Sequence, residues 1–81
     1  HPAFGELVNS RLMLKETRKL LAGVIRGQKR TLWISPKDQS VFRGMKSQNI
    51  QRLQLLDLLD RFTLKTDPDQ KRHTVVLRDE N

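Results

Sequence analysis

The first 27 residues constrain the fold more than any other segment, because they read as one long amphipathic helix. From Ala3 to about Arg26, apolar residues fall on one side of a helical wheel and basic residues on the other. Pro2 suits the first turn of this helix and Gly27 suits its C-terminal stop. The apolar side holds Leu7, Met13, Leu14, Leu20, Leu21, Val24 and Ile25. The other side holds Arg11, Lys15, Arg18, Lys19 and Arg26, within an arc of roughly 100°.

This cationic stripe belongs to a chain that is basic as a whole. The formal net charge is +7 over 81 residues, and the isoelectric point is about 10.6. Fixed cations on a small rigid body attract polyanions, of which nucleic acid is the commonest. The alternative is a solvated helix face that only keeps the domain soluble.

Length and composition limit the class of protein further. A chain of 81 residues forms one domain at most, with little room for a deep catalytic cleft. It has no cysteine, which excludes a disulfide framework and a thiolate metal site. No apolar run approaches the roughly 18 residues that span a bilayer, and no signal-peptide pattern occurs. We therefore expect residues 1–81 to be a single basic domain of an intracellular protein, nuclear or cytoplasmic. Because it begins with His1-Pro2, we expect a domain cut from a longer chain.

The middle of the chain predicts one strand and a second helix. Thr31–Ser35 is rich in strand-forming residues and is ended by Pro36. Residues 37–46 predict a loop with a possible helical turn. Ser47 is a suitable N-cap for a helix reaching about Phe62, whose many leucines make a wide apolar face.

The last third of the chain predicts two short strands. Thr63–Thr66 and Arg72–Arg78 flank Asp67–Gln70, which has proline at the second position of a turn. We expect these strands to pair as a hairpin. The predicted fold is therefore α+β in the order α-β-α-β-β, with two main helices packed on a three-stranded, mostly antiparallel sheet.

Trp33 is the only tryptophan, and strand alternation predicts where it lies. If Leu32 and Ile34 face the helices, then the odd-numbered residues of this strand face the open side of the sheet. The same alternation in the last strand leaves Arg72 and Arg78 outward. An exposed indole beside guanidinium groups would be a stacking platform for an unpaired base. The alternative is that Trp33 caps the core.

Three more cations are candidates for binding an anion. Arg52 lies inside the apolar arc of the second helix, so it either snorkels at the edge or points into a groove that holds an anion. Arg43 and Lys46 precede this helix. They would add positive charge next to its first backbone amides, which themselves favour a bound phosphate.

The sequence predicts no catalytic or metal site. His1 and His73 have no partners nearby in the sequence, and His73 is expected to be an ordinary sheet residue. The carboxylate pairs at 57/60 and 67/69 are expected to be solvated helix and turn residues. We therefore expect neither an enzyme nor a cofactor.

Three stretches resemble the Arg-x-x-x-His domain family, whose members bind single-stranded nucleic acid. Arg30–Pro36 is similar to the first strand of that family, and Lys71–Val76 to its last strand. Residues 52–66 are similar to its helix and the strand that follows. Arg52 falls on the motif arginine, whereas Leu56 occupies the histidine position. The resemblance implies binding of single strands, with Arg52 and the basic last strand at Arg72 taking part.

A winged helix is the second resemblance. Val41–Gly44 would be its short second helix, residues 47–62 its recognition helix, and Thr63–Leu77 its wing. That fold implies duplex binding, with base contacts that could come from Gln48, Asn49, Gln51 and Gln54.

These observations favour a nucleic-acid-binding module that prefers single-stranded RNA or DNA. Its predicted site residues are Arg30, Trp33, Arg43, Lys46, Arg52 and Arg72. Phe42 is a possible second stacking residue. Two alternatives remain: a winged helix that binds duplex DNA, and a protein-interaction domain whose basic stripe meets an acidic partner or a flanking domain. No membrane partner is expected.

Overall fold

The computed structural model describes residues 2–25, 27–28 and 30–79, with side chains described for 5–25, 27–28 and 30–78. This part of the chain forms three α-helices and one three-stranded sheet. The helices are α1 (Pro2–Leu21), α2 (Gln39–Arg43) and α3 (Gln48–Leu55), and the strands are β1 (Arg30–Ile34), β2 (Phe62–Thr66) and β3 (Val76–Asp79). The predicted α+β class is confirmed. The expected loop contains α2 between two 3-10 turns.

The sheet has the strand order β2-β1-β3, so β1 is central. β1 is parallel to β2 and antiparallel to β3, which makes the sheet mixed. The parallel pair is possible because α2 and α3 form the crossover between its strands. The predicted hairpin is wrong, because residues 67–75 carry the chain from one edge of the sheet to the other. The wing of a winged helix would need that same hairpin.

One side of α1 packs against the sheet through a shared core. Met13 and Leu21 are buried in one cluster with Leu32 and Ile34 of β1. α1 ends at Leu21, because the chain turns there and the amide of Val24 donates to the carbonyl of Leu21 at 3.0 Å. The prediction of a helix to Arg26 is therefore too long, and Arg26 itself lies outside the described residues.

The residues just beyond α1 only partly follow the predicted apolar face. Val24 is buried, as expected, whereas Ile25 is 69% exposed. The prediction for Ile25 is wrong because it depended on the helix continuing through this residue.

α3 stops at Leu55, well before the predicted end at Phe62. Asp57 has a left-handed backbone with φ 60°. The amide of Leu58 donates to the carbonyl of Leu53 at 2.9 Å, and the amide of Asp57 to that of Gln54 at 3.1 Å. This is the Schellman arrangement that closes helix C-termini, here with aspartate where glycine is usual. The leucines between residues 53 and 59 therefore lie partly in α3, partly in the turn after it and partly in the 3-10 turn that begins at Leu59.

Asn49 joins the three helices. Its side-chain amide donates to the carbonyl and hydroxyl oxygens of Ser10 at 3.0 and 2.9 Å, and to the carbonyl of Phe42 at 3.0 Å. Asn49 is buried, so the base contact predicted for it in a winged helix is wrong. Gln48, its neighbour, is exposed.

Replacing Gly44 with alanine is expected to lower the free energy of unfolding by about 2 kcal/mol. Gly44 has φ 79° and ψ 166°, a region that residues with a Cβ rarely adopt. An added Cβ would also lie 3.1 Å from Asn49, whose side chain is fixed by its three bonds. Urea denaturation measures the change.

Gly5→Ala is the matched control for this substitution. A Cβ at Gly5, in the exposed part of α1, meets nothing within 4 Å. It should therefore raise stability by about 0.5–1 kcal/mol, because alanine favours helix over glycine. Equal effects of the two substitutions would contradict this account of Gly44.

Candidate nucleic-acid interface

By strand alternation, Trp33 lies on the opposite face of the sheet from Leu32 and Ile34, which pack in the core with α1. Leu32 and Ile34 are fully buried on the helix side, and Trp33 between them is half-buried. The predicted alternation is thus confirmed for these three residues. Thr31 and Ser35, which alternation puts on the same face as Trp33, are nevertheless buried. Thr31 lies in the central strand, flanked in register by Thr63 and Arg78, and the hydroxyl of Ser35 accepts from the amide of Lys37.

Two cations flank Trp33 on this open face. Lys65 of β2 is its register partner on one side, and Val76 of β3 is its partner on the other. The Cζ atom of Arg78 lies 5.9 Å from the centroid of the indole ring, within cation–π range. Lys65 and Arg78 are both exposed. A strip of cation, aromatic ring and cation therefore crosses the three strands, and we call it the Trp33 strip (Trp33, Lys65 and Arg78).

A shallow groove connects the Trp33 strip to α2. It is lined by Trp33, Gln39, Arg43, Leu64, Lys65 and Thr66. Arg43 is exposed and contributes a third positive charge to the surroundings of the indole. The structure thus brings together Trp33 and Arg43, two of the six predicted site residues.

Three other predicted residues do not join this strip. Arg30 is half-buried at the start of β1, and alternation puts it on the same side as Leu32, which faces the helices. Lys46 lies in the 3-10 turn that precedes α3, and Arg52 on α3 itself. Both are exposed, so Arg52 is not a buried anion ligand.

Arg72 and His73 lie in a turn before β3, rather than in the strand predicted for them. The Asp38 carboxylate, which is fully buried, holds both residues. The Nε of Arg72 donates to Asp38 Oδ1 at 2.6 Å, and the backbone amide of His73 donates to Oδ2 at 2.6 Å. His73 has a left-handed backbone with φ 63°, which cannot continue a strand. The side chain of Arg72 remains 46% exposed.

Gln70 fixes the same segment from the other end. Its side-chain amide donates to the carbonyl of Trp33 at 2.8 Å and to that of Thr74 at 3.0 Å. These bonds and those of Asp38 position residues 70–74 beside β1. The predicted turn at 67–70 is confirmed by the amide of Gln70, which donates to the carbonyl of Asp67 at 3.0 Å.

Phe42 is part of the core. It is 2% exposed, and its ring packs edge to face against Phe62 at a centroid distance of 6.4 Å. The prediction that Phe42 stacks on a base is therefore wrong. Phe42 lies in α2, not in an open loop, and its ring is buried against Phe62, the first residue of β2.

The basic stripe of α1 forms a second cationic surface. Arg11, Lys15, Arg18 and Lys19 are all exposed, as predicted. Because the opposite side of α1 packs toward the sheet, this stripe points away from the Trp33 strip. The two surfaces are separate.

Among the described residues, no group of three or more histidine, aspartate or glutamate side chains is placed to hold a metal ion. The described helices include none with the length and apolar character that crossing a membrane requires. Comparison of the chain with known proteins gives no significant match to a family model, a curated protein or a solved structure.

Proposed function

We propose that this chain is a nucleic-acid-binding module that prefers single strands and binds them on the Trp33 strip. The proposal depends mainly on the position of the Trp33 indole. This ring is half-buried on the sheet face between Lys65 and Arg78. An anchored aromatic ring next to cations is how many proteins hold an unpaired base and its phosphates.

The residues of the Trp33 strip and the neighbouring Arg43 have different roles in this proposal. Trp33 stacks on one base, and the rigid sheet keeps its ring in place. Lys65 and Arg43, along the groove beside β2, contact phosphates before or after that base. Arg78 already lies near the indole, so it either stacks on the base or turns to a phosphate.

Single strands are favoured over duplexes for a geometric reason. A base stacks on Trp33 only when it is free of its partner, whereas a duplex would offer this face phosphates alone. The absence of a β2-β3 hairpin in the described sheet also removes the wing that would hold a duplex.

Lys65→Gln is expected to weaken the salt dependence of single-strand binding. Because Lys65 is proposed to contact one phosphate, its loss should reduce the slope of log K against log salt by about 0.7. Fluorescence anisotropy of a labelled oligonucleotide at several salt concentrations measures this slope.

Lys46→Gln is the matched control for Lys65. It removes the same charge from an exposed residue outside the Trp33 strip. The slope should be nearly unchanged in this variant. If the two variants lower the slope equally, binding follows net charge and the strip is not the site.

A further inference from the structure

A shallow groove runs between the second half of α1 and the turn that follows α3. Its lining residues are Lys15, Arg18, Lys19, Ala22, Leu56 and Leu58. Three of these are basic and none is acidic. One wall is therefore cationic and the other is made of leucine, and we call this feature the α1 groove.

The leucine wall is not simply the edge of the core. Leu58 packs against the buried cluster, but Leu56 does not, although it is half-buried. Leu56 thus lines the groove but is not one of the residues that pack against the core. An apolar wall of this kind is stabilised when another apolar side chain covers it.

The α1 side of the groove suits a helical partner. Lys15 and Lys19 are one helical turn apart, which is a rise of about 6 Å. Ala22, just after α1, is exposed and adds only a methyl group, so another chain can approach closely there. Carboxylates four residues apart on a second helix would match this spacing.

We propose that the α1 groove binds an acidic amphipathic helix of a partner protein. Apolar side chains of that helix would pack on Leu56 and Leu58, and its carboxylates would pair with Lys15, Arg18 and Lys19. The mixed lining favours this partner over nucleic acid. Phosphates would use the cations but leave the leucines uncovered, and none of the described residues that line the groove is an aromatic on which a base could stack.

The test uses the full chain and a synthetic peptide as the probe. The peptide has about 18 residues, with leucines on one helical face and glutamates elsewhere, and the control peptide has the same composition in scrambled order. Calorimetry should give an affinity roughly tenfold higher for the amphipathic peptide. NMR shifts should appear at Lys15–Ala22 and Leu56–Leu58. Equal affinity for the two peptides would overturn the proposal.

Protein variants locate the site. Lys15→Glu with Lys19→Glu should weaken peptide binding about tenfold, since the pair changes two attractions into repulsions. Arg43→Glu with Lys65→Glu makes the same change in net charge along the groove beside the Trp33 strip and should leave peptide binding within about twofold. Equal losses in the two double variants would show binding by net charge alone and would overturn the proposal.

Apolar variants test the leucine wall. Leu56→Ser should weaken the peptide about fivefold, whereas Leu55→Ser, at a residue 80% exposed and outside the groove lining, should not. Ala22→Gln, which fills the groove from the α1 side, should also weaken it and serves if Leu56→Ser fails to fold. If an oligonucleotide shifts the α1 amides and the peptide does not, the groove binds nucleic acid instead. Because Trp33 lies on the other surface, its single-strand binding is measured separately, and either proposal can fail alone.

Discussion

Asp38→Asn is expected to lower the free energy of unfolding by about 3 kcal/mol. The carboxylate is fully buried and accepts from the Nε of Arg72 and from the backbone amide of His73, both at 2.6 Å. Asparagine has only one acceptor oxygen, so its NH₂ group would face one of these donors and a buried bond would be lost. Such a loss is a large share of the stability of a domain of this size. Urea denaturation measures it.

Asp60→Asn and a double-mutant cycle are the controls for this prediction. Asp60 is exposed in the 3-10 turn before β2, so its replacement should change stability by less than about 0.5 kcal/mol. In the cycle, Arg72→Gln should cost much less in the Asp38→Asn background than in the original protein, since the two residues share one contact. Additive losses would contradict the assigned role of Asp38.

Trp33→Leu is expected to reduce single-strand affinity roughly thirtyfold. Base–aromatic stacking contributes about 1–3 kcal/mol per base, and leucine keeps the apolar bulk of residue 33 but lacks a π face. Anisotropy of a labelled oligonucleotide measures the loss, because this variant has no tryptophan signal.

Trp33→Phe separates stacking from simple burial. Phenylalanine keeps an aromatic face in the same position on β1, so its affinity should fall between those of the original protein and the leucine variant. Circular dichroism and urea denaturation establish that both variants fold. If phenylalanine and leucine reduce affinity equally, residue 33 does not stack on a base.

The parts of the fold that sequence could predict are those governed by short-range patterning. The basic stripe of α1 follows from helical periodicity, and the burial of Leu32 and Ile34 around Trp33 follows from strand alternation. β1 and β2 were also predictable to within one residue, because a proline or a turn follows each.

Strand pairing was not predictable, because it depends on contacts distant in sequence. A turn at 67–70 followed by a β-rich segment is a strong hairpin pattern. In the structure, Gln70 and Asp38 hold the segment before β3 next to β1 instead, so β3 pairs with β1. The early end of α3 is not predictable for a different reason: Asp57 adopts a left-handed backbone conformation that a leucine-rich pattern does not indicate.

The candidate site was predicted only in part for the same reason. Trp33 and Arg43 could be selected as an aromatic residue and a nearby cation, but Lys65 joins them only through the parallel register. One sequence feature does distinguish Asp38, which is the only acidic residue between Glu16 and Asp57. A lone acid in a basic segment often pairs with a cation, which here is Arg72.

A fluorescence titration of Trp33 tests the central proposal most directly. Single-stranded RNA, single-stranded DNA and duplex DNA are added to the full chain at two salt concentrations, with anisotropy of a labelled strand followed in parallel. Single strands should quench the indole near physiological salt and bind less tightly as salt rises, and duplex DNA should quench it little. Failure of every single strand to quench Trp33 would contradict the stacking platform, even if anisotropy still reported binding elsewhere on the molecule.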